Sequence, residues 1–383
     1  MRITFLANAP NLSGGQRVVA LHAERLAALG HEVRVICVAS KPSRGGRRFG
    51  PLGRLAAGLR APRPPRREET HFGRMTGVDL RLLDRPGPFR PEDVPDGDVV
   101  VASWWEHAFS AAALPPRKGA GHYFVQHHEV HAHLPAHISA GSYHLPLRKI
   151  AVSGWLRDLM RTRYGDDDVA LVPNAVDHGL FHAPPRGRRP VPTVGLMHAD
   201  TPFKGVDVAL EAIALARRRL PELETLAFGR APPGRDLPLP PGARFELRPD
   251  QARLRELYAA CDVWIAASRS EGFGLPILEA LACRTPVVAT RAGCAPDAIE
   301  DGVNGRLAPV DDAAALAEGL LDMLGRDEAG WRAMSEAAAA SVAGYGWDEA
   351  AARFEAALRP APDARPSRPA VAGASQATRN SGV

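Results

Sequence analysis

Cysteine is scarce in this sequence, with four among 383 residues. Cys37, Cys261, Cys283 and Cys294 show neither the close pairing of a zinc site nor the density of a disulfide scaffold, so they read as reduced and structural. No apolar run approaches the roughly 18 residues that a bilayer span needs. Met1 leads straight into the apolar stretch 3–7 with no basic region or small-residue cleavage site, so no secretory signal and a cytoplasmic location are expected. Aromatic residues make up only 6% and are not interleaved with the basic clusters, which argues against a stacking platform for nucleic acid. The net charge of +5 suits an anionic partner, and by itself does not choose among nucleic acid, a membrane surface and a phosphorylated small molecule.

The length fits two domains of ordinary size plus a tail. An apolar run at 3–7, a Gly-containing loop at 11–15, a helical period over 17–29, Gly30 as a C-cap and a second apolar run at 33–39 predict a β-loop-α-β unit. Strand-like runs at 98–102, 122–126, 150–152 and 169–172 extend it into a parallel sheet. A Pro/Arg-rich stretch at 183–192 reads as a linker between a first domain, 1–182, and a second, 193–345. The second domain repeats the alternation, with strands at 193–197, 223–228, 263–267 and 286–289. A helix within 346–358 is expected to pack back on the first domain, and 359–383 to be disordered. The fold class expected is therefore α/β, with two Rossmann-like, doubly wound domains facing across a cleft. A nicotinamide oxidoreductase fits poorly, because no Gly-x-Gly-x-x-Gly follows the first strand and the second ends in Ala39-Ser40-Lys41 without an acidic residue.

One insert stands apart. Residues 41–67 hold many arginines among Gly and Pro, which reads either as a basic arm against anionic lipid or acceptor phosphates, or as a solvated loop.

The chemistry concentrates in Ser270-Glu271-Gly272-Phe273-Gly274-Leu275-Pro276-Ile277-Leu278-Glu279-Ala280, after a buried-looking strand and at the start of a helix. With the helix starting at Pro276, Glu271 falls on the loop and Glu279 in the first turn. The glycines let backbone approach a ligand, and the first amides of the helix can donate to sugar or phosphate oxygens. Two carboxylates along one cleft can accept from the hydroxyls of two sugars. Alternatively, Glu279 complements the helix dipole and Glu271 is a solvated loop residue.

Residues 268–290, Ser-Arg-Ser-Glu-Gly-Phe-Gly-Leu-Pro-Ile-Leu-Glu-Ala-Leu-Ala-Cys-Arg-Thr-Pro-Val-Val-Ala-Thr, closely resemble family 4 glycosyltransferases. Gly14-Gly15-Gln16, Val172-Pro173-Asn174-Ala175-Val176-Asp177, Lys204-Gly205 and Asp301-Gly302-Val303-Asn304-Gly305 follow the same order, so the similarity spans roughly 1–358. The resemblance implies a GT-B fold and a retaining transfer from a nucleoside-diphosphate sugar, UDP- or GDP-linked, with no cofactor and no obligatory metal. It implies that Glu271 holds the transferred sugar together with the backbone of Gly272, Phe273, Gly274 and Leu275, that Glu279 binds the ribose, and that Gly14 and Gly15 lie against the diphosphate. Lys204 would neutralise the departing phosphate. Family members usually carry an arginine six residues before that lysine. Here the position is His198, so either a protonated His198 or another residue such as Arg230 supplies the charge.

Gln126-His127-His128-Glu129, followed by His131, His133 and His137, invites a zinc reading. The resemblance instead implies an acceptor-side histidine at the strand end, His127 first and His128 second, and a packed loop histidine is the remaining alternative. Ala175, Arg284 and Asp297 depart from the family pattern as tolerated variations, Asp297 making a local structural contact. A non-catalytic sugar-nucleotide-binding protein is the second reading. The acceptor could be a saccharide, a lipid-linked saccharide or a small molecule.

Overall fold

A computed structural model of the protein describes residues 1–40, 70–131 and 134–359. The basic insert at 41–67, His133 and the tail beyond Arg359 lie outside the described residues.

Two parallel sheets form the frame. The first comprises β1 (Arg2–Ala7), β2 (Glu32–Cys37), β3 (Val78–Leu82), β4 (Val99–Ala102), β5 (Ala120–Val125), β6 (Arg148–Ala151) and β7 (Val169–Leu171), in the order β3-β2-β1-β4-β5-β6-β7. The second comprises β8 (Thr193–His198), β9 (Glu224–Gly229), β10 (Arg244–Leu247), β11 (Val263–Ala266), β12 (Val287–Thr290) and β13 (Gly305–Ala308), in the order β10-β9-β8-β11-β12-β13. The central strands read as unbroken apolar runs because helices cover both faces of a parallel sheet: Val99, Val100, Val101 and Ala102 are all buried. The apolar-run criterion misses β3, β10 and β13 for the same reason. Val78-Asp79-Leu80-Arg81-Leu82 and Arg244-Phe245-Glu246-Leu247 are half-exposed edge strands, and β13 is the other edge of its sheet.

Helices α1 (Gly14–Ala28), α2 (Gly154–Tyr164), α3 (Val206–Arg217), α4 (Leu275–Ala282) and α5 (Trp347–Leu358) bear on the site. After the second sheet is complete the chain returns to the first. The α5 ring of Phe354 lies 4.4 Å from His22, 4.9 Å from Phe124 and 6.0 Å from Phe5. In both sheets the winding reverses beside the first strand, between β1 and β4 and between β8 and β11. Ligands of open α/β sheets bind beyond the carboxyl ends of strands at such reversals. Among the described residues no helix is long and apolar enough to cross a membrane.

Candidate active site

Lys204 and Glu271 emerge from the two loops at the reversal of the second sheet. A short turn, Pro202–Lys204, follows β8 and closes on Gly205 in a left-handed conformation, φ 61°. A Cβ at Gly205 would lie 1.9 Å from the Ala267 carbonyl oxygen, so glycine is what allows this turn to press against the end of β11. From the other side, Thr290 Oγ1 donates to the Ser268 carbonyl at 2.6 Å, and Ser268 Oγ donates to Glu271 Oε1 at 3.0 Å. Lys204 Nζ then donates to the same carboxylate oxygen at 2.6 Å, both side chains being largely shielded. The two groups expected to meet phosphate and sugar hydroxyls neutralise each other here, a charge-assisted bond that a ligand bearing both functions can exchange.

The loop between Glu271 and α4 is docked on the opposite lobe. Ser153 Oγ and Trp155 Nε1, at the start of α2, donate to the Gly272 carbonyl at 2.7 and 3.2 Å. A Cβ at Gly272 would sit 1.7 Å from the Gln126 carbonyl oxygen. The space in front of the Gly272 α-carbon is thus taken by the backbone of the other lobe. Gly274 turns the chain at φ 97° into α4, while the buried Phe273 accepts from the Cys294 amide at 2.6 Å.

Helix α4 starts at Leu275, one residue before Pro276, which places Glu279 in the second turn rather than the first. Dipole complementation is therefore not its role, since that effect fades after one turn. Glu279 is buried, with Arg17 Nη1 on Oε1 at 2.7 Å and the Tyr258 hydroxyl on Oε2 at 2.8 Å.

In the first lobe, Gly14 and Gly15 belong to the first turn of α1 and not to a loop, because Ser13 caps the helix by accepting from the Gln16 amide. As the first amides of a helix they have no intrahelical partner, the kind of backbone that can receive an anion. Space around Gly14 is open. His127 donates through Nδ1 to the His128 carbonyl at 3.1 Å, its Nε2 is buried, and the Ser270 backbone also acts on the ring. Burial lowers its imidazole below the usual range, and the Glu271 carboxylate and the Lys204 ammonium both act on it. His128 is different. Its Nε2 meets the Tyr164 hydroxyl at 2.7 Å, within the first lobe, and burial, then Arg163, lowers it to about 4. The structure thus brings His127, and not His128, to Glu271 and Lys204.

A family model described as Glycosyltransferase Family 4 matches residues 12–180, and one described as Glycosyl transferases group 1 matches 189–326. The chain belongs to glycosyltransferase family 4. It is 33% identical over 201 residues to D-inositol 3-phosphate glycosyltransferase of Streptomyces coelicolor, covering 47% of this chain and 44% of that protein. It is 32% identical over 222 residues to phosphatidyl-myo-inositol mannosyltransferase of Mycobacterium tuberculosis, covering 54% and 57%. The matches therefore span about half the length of these relatives. The structure of Anabaena HepE in complex with UDP and glucose superposes with a TM-score of 0.69 at 17% identity, over 94% of this chain and 99% of that one. The fold is accordingly GT-B.

His198 is buried, and its Nε2 donates to the Leu237 carbonyl at 2.9 Å, so that nitrogen is spent on backbone. Nor does His198 line the cavity that Lys204, Ser268, Glu271, Gly274 and Thr290 enclose. That cavity, lined by second-lobe residues, measures about 40 Å³, room for a few waters and not for a sugar ring. Arg230 is exposed. It does act, after burial and Arg17 and together with Arg74, in lowering the His71 imidazole to about 4. Guanidinium groups of both lobes thus act electrostatically on His71. The Asp297 carboxylate, read from sequence as a local contact, lies against Gly154 at the start of α2, 3.3 Å from where a Cβ would stand. Arg284 adopts φ 61°, the conformation that favours glycine there, and its guanidinium holds the Ala183 carbonyl at 2.9 Å.

His127, Glu129 and His131 bring ligand-type atoms within 4.8 Å of one another, and burial pushes the Glu129 carboxyl up to about 8. Metal bonds of about 2.0–2.2 Å require closer ligands, so the trio would have to draw in to hold an ion. Arg17, Ser153, Trp155, Tyr258 and Ser268 escaped the sequence reading. Only Arg17 left a signal: a cation in the first turn of a helix works against the dipole and asks for an anionic partner.

Proposed function

We propose that the chain is a retaining, metal-independent glycosyltransferase that moves a sugar from a nucleoside-diphosphate sugar to a hydroxyl of an acceptor on the cytoplasmic side. The observation that carries this reading is the Lys204–Glu271 pair, 2.6 Å apart at the reversal of the second sheet, with His127 of the opposite lobe facing it. In this scheme Lys204 leaves Glu271 for the diphosphate, Glu271 accepts from the hydroxyls of the transferred sugar, and Glu279 accepts from the ribose. The Gly14 and Gly15 amides approach the diphosphate, and Nε2 of His127 accepts from a sugar or acceptor hydroxyl. The acceptor oxygen attacks C1 on the face from which the diphosphate leaves. The C1–O bond to phosphate breaks, the new C1–O bond forms, and the acceptor proton passes to the departing phosphate oxygen. Catalysis is then positioning and charge stabilisation.

A UDP-sugar is the first donor to test, because the Anabaena neighbour holds UDP, with GDP-sugars second. Inositol 3-phosphate and phosphatidyl-myo-inositol stand in the relatives' names. A phosphorylated polyol also suits the guanidinium groups around His71, so such acceptors come first, ahead of saccharide and lipid-linked ones. The test combines thermal shift against a panel of nucleotide sugars with measured donor consumption, with and without these acceptors. One donor should stabilise the protein and be consumed with retention at C1. No stabilisation by any nucleotide sugar would overturn the reading. Tight binding without turnover would favour a binding protein, the reading that the spent His198 supports.

A further inference from the structure

We infer that Arg17 of the first lobe is a positioning residue that completes the ribose grip of the second, so that Glu279 holds a nucleoside only while the lobes are closed. The inference rests on the donor reading above. Arg17 and Glu279 stand on different lobes, 262 positions apart, yet their N···O distance is 2.7 Å with side chains 14% and 6% exposed. Nothing in α1 favours a cation in its first turn. The guanidinium instead lies over the ring of Phe181, 5.5 Å from its centroid, and Phe181 meets the ring of Tyr258 edge-on at 6.0 Å. Tyr258 is fully buried and supplies the second bond to Glu279. Each lobe thus holds one oxygen of the carboxylate, the first through a guanidinium nitrogen and the second through a hydroxyl, inside an aromatic wall.

An ionised carboxylate offers about four lone-pair sites on its two oxygens. Arg17 and Tyr258 use one on each, which leaves one on each for the two vicinal hydroxyls of a ribose. Parting the lobes removes Arg17 and with it the counter-charge and one of the two hydrogen bonds that orient the carboxylate. Closure therefore orients the grip, and by linkage a bound nucleoside favours closure.

The test compares UDP with 2′,3′-dideoxy-UDP by calorimetry on the full chain in wild type, Arg17→Ala, Arg17→Lys and Glu279→Ala, with solution scattering for compaction. Arg17→Ala should weaken UDP at least tenfold and abolish UDP-induced compaction, yet leave dideoxy-UDP at its wild-type affinity. Arg17→Lys should recover part of the loss, and carries the same comparison if the alanine variant does not fold. Equal penalties for both nucleotides would mean that Arg17 serves the phosphates and would overturn the inference. So would unchanged or tighter UDP binding, the mark of a latch that competes with ribose. Glu279→Ala separates the two levels: wild-type UDP affinity there defeats the ribose role of Glu279 itself, whereas a loss there with an unaffected Arg17→Ala defeats only the part given to Arg17.

Discussion

Gly272→Ala tests whether the docked loop governs function. The added Cβ would stand 1.7 Å from the Gln126 carbonyl oxygen, and ordinary contact starts at 3.4 Å, so the two lobes must part locally by about 1.7 Å. Gly272 itself is outside the left-handed region, so alanine strains nothing within its own loop. The damage falls on the interface. Parting by that distance breaks the bonds from Ser153 Oγ at 2.7 Å and Trp155 Nε1 at 3.2 Å. At about 1 kcal/mol each, their loss lowers the closed population roughly 30-fold. Glu271, the preceding residue, moves with the loop, and a misplacement of about 1 Å costs on the order of 100-fold in rate. We therefore expect kcat/KM for donor consumption to fall between about 30-fold and a few hundredfold, with far-UV circular dichroism unchanged. Wild-type kcat/KM in Gly272→Ala would refute the argument that this contact closes the site.

Three further outcomes are expected. Gly14→Ala meets open space, so thermal stability should change by less than about 1 kcal/mol while KM for the donor rises; an unchanged KM would remove Gly14 from the donor site. Lys204→Ala should lower kcat/KM by about 10²–10³-fold in the same assay, and undiminished turnover would exclude Lys204 as the phosphate partner. His22 is buried among Phe124, Trp347 and Phe354, with neither ring nitrogen partnered, and burial lowers it to about 3. Because the folded state resists protonation, its stabilising contribution is present above the unfolded value near 6.5 and is lost as pH falls towards 3. Between pH 7 and 5 that is about 2 kcal/mol, so denaturant unfolding of His22→Phe should show a slope with pH shallower by this amount, and an identical slope would refute the assignment.

Much of the frame was legible without coordinates. Strands buried on both faces announce themselves as apolar runs, as in β1, β4, β8 and β11, and the alternation with helices implied parallel sheets. Edge strands β3 and β10 did not, because alternating Asp79, Arg81, Arg244 and Glu246 look like loop to a criterion built on burial. Lys204, Glu271 and His127 could be named from motifs, since each lies on a loop tied closely to its own strand end. The choice between His127 and His128 could not. Neighbours in sequence point to different surroundings, one toward Lys204 and Glu271, the other toward Tyr164.

What the sequence by itself determined is the set of local elements and the loops that carry charge, because hydrophobic period, glycine and proline act over a few residues. Only the tertiary structure decided which charges meet. Arg17 and Glu279, 262 positions apart, and Gly272 beneath Gln126 become neighbours because two separately wound sheets are brought face to face. Coulomb attraction and steric exclusion depend on distance in space, and no spacing along the chain encodes that distance across a cleft.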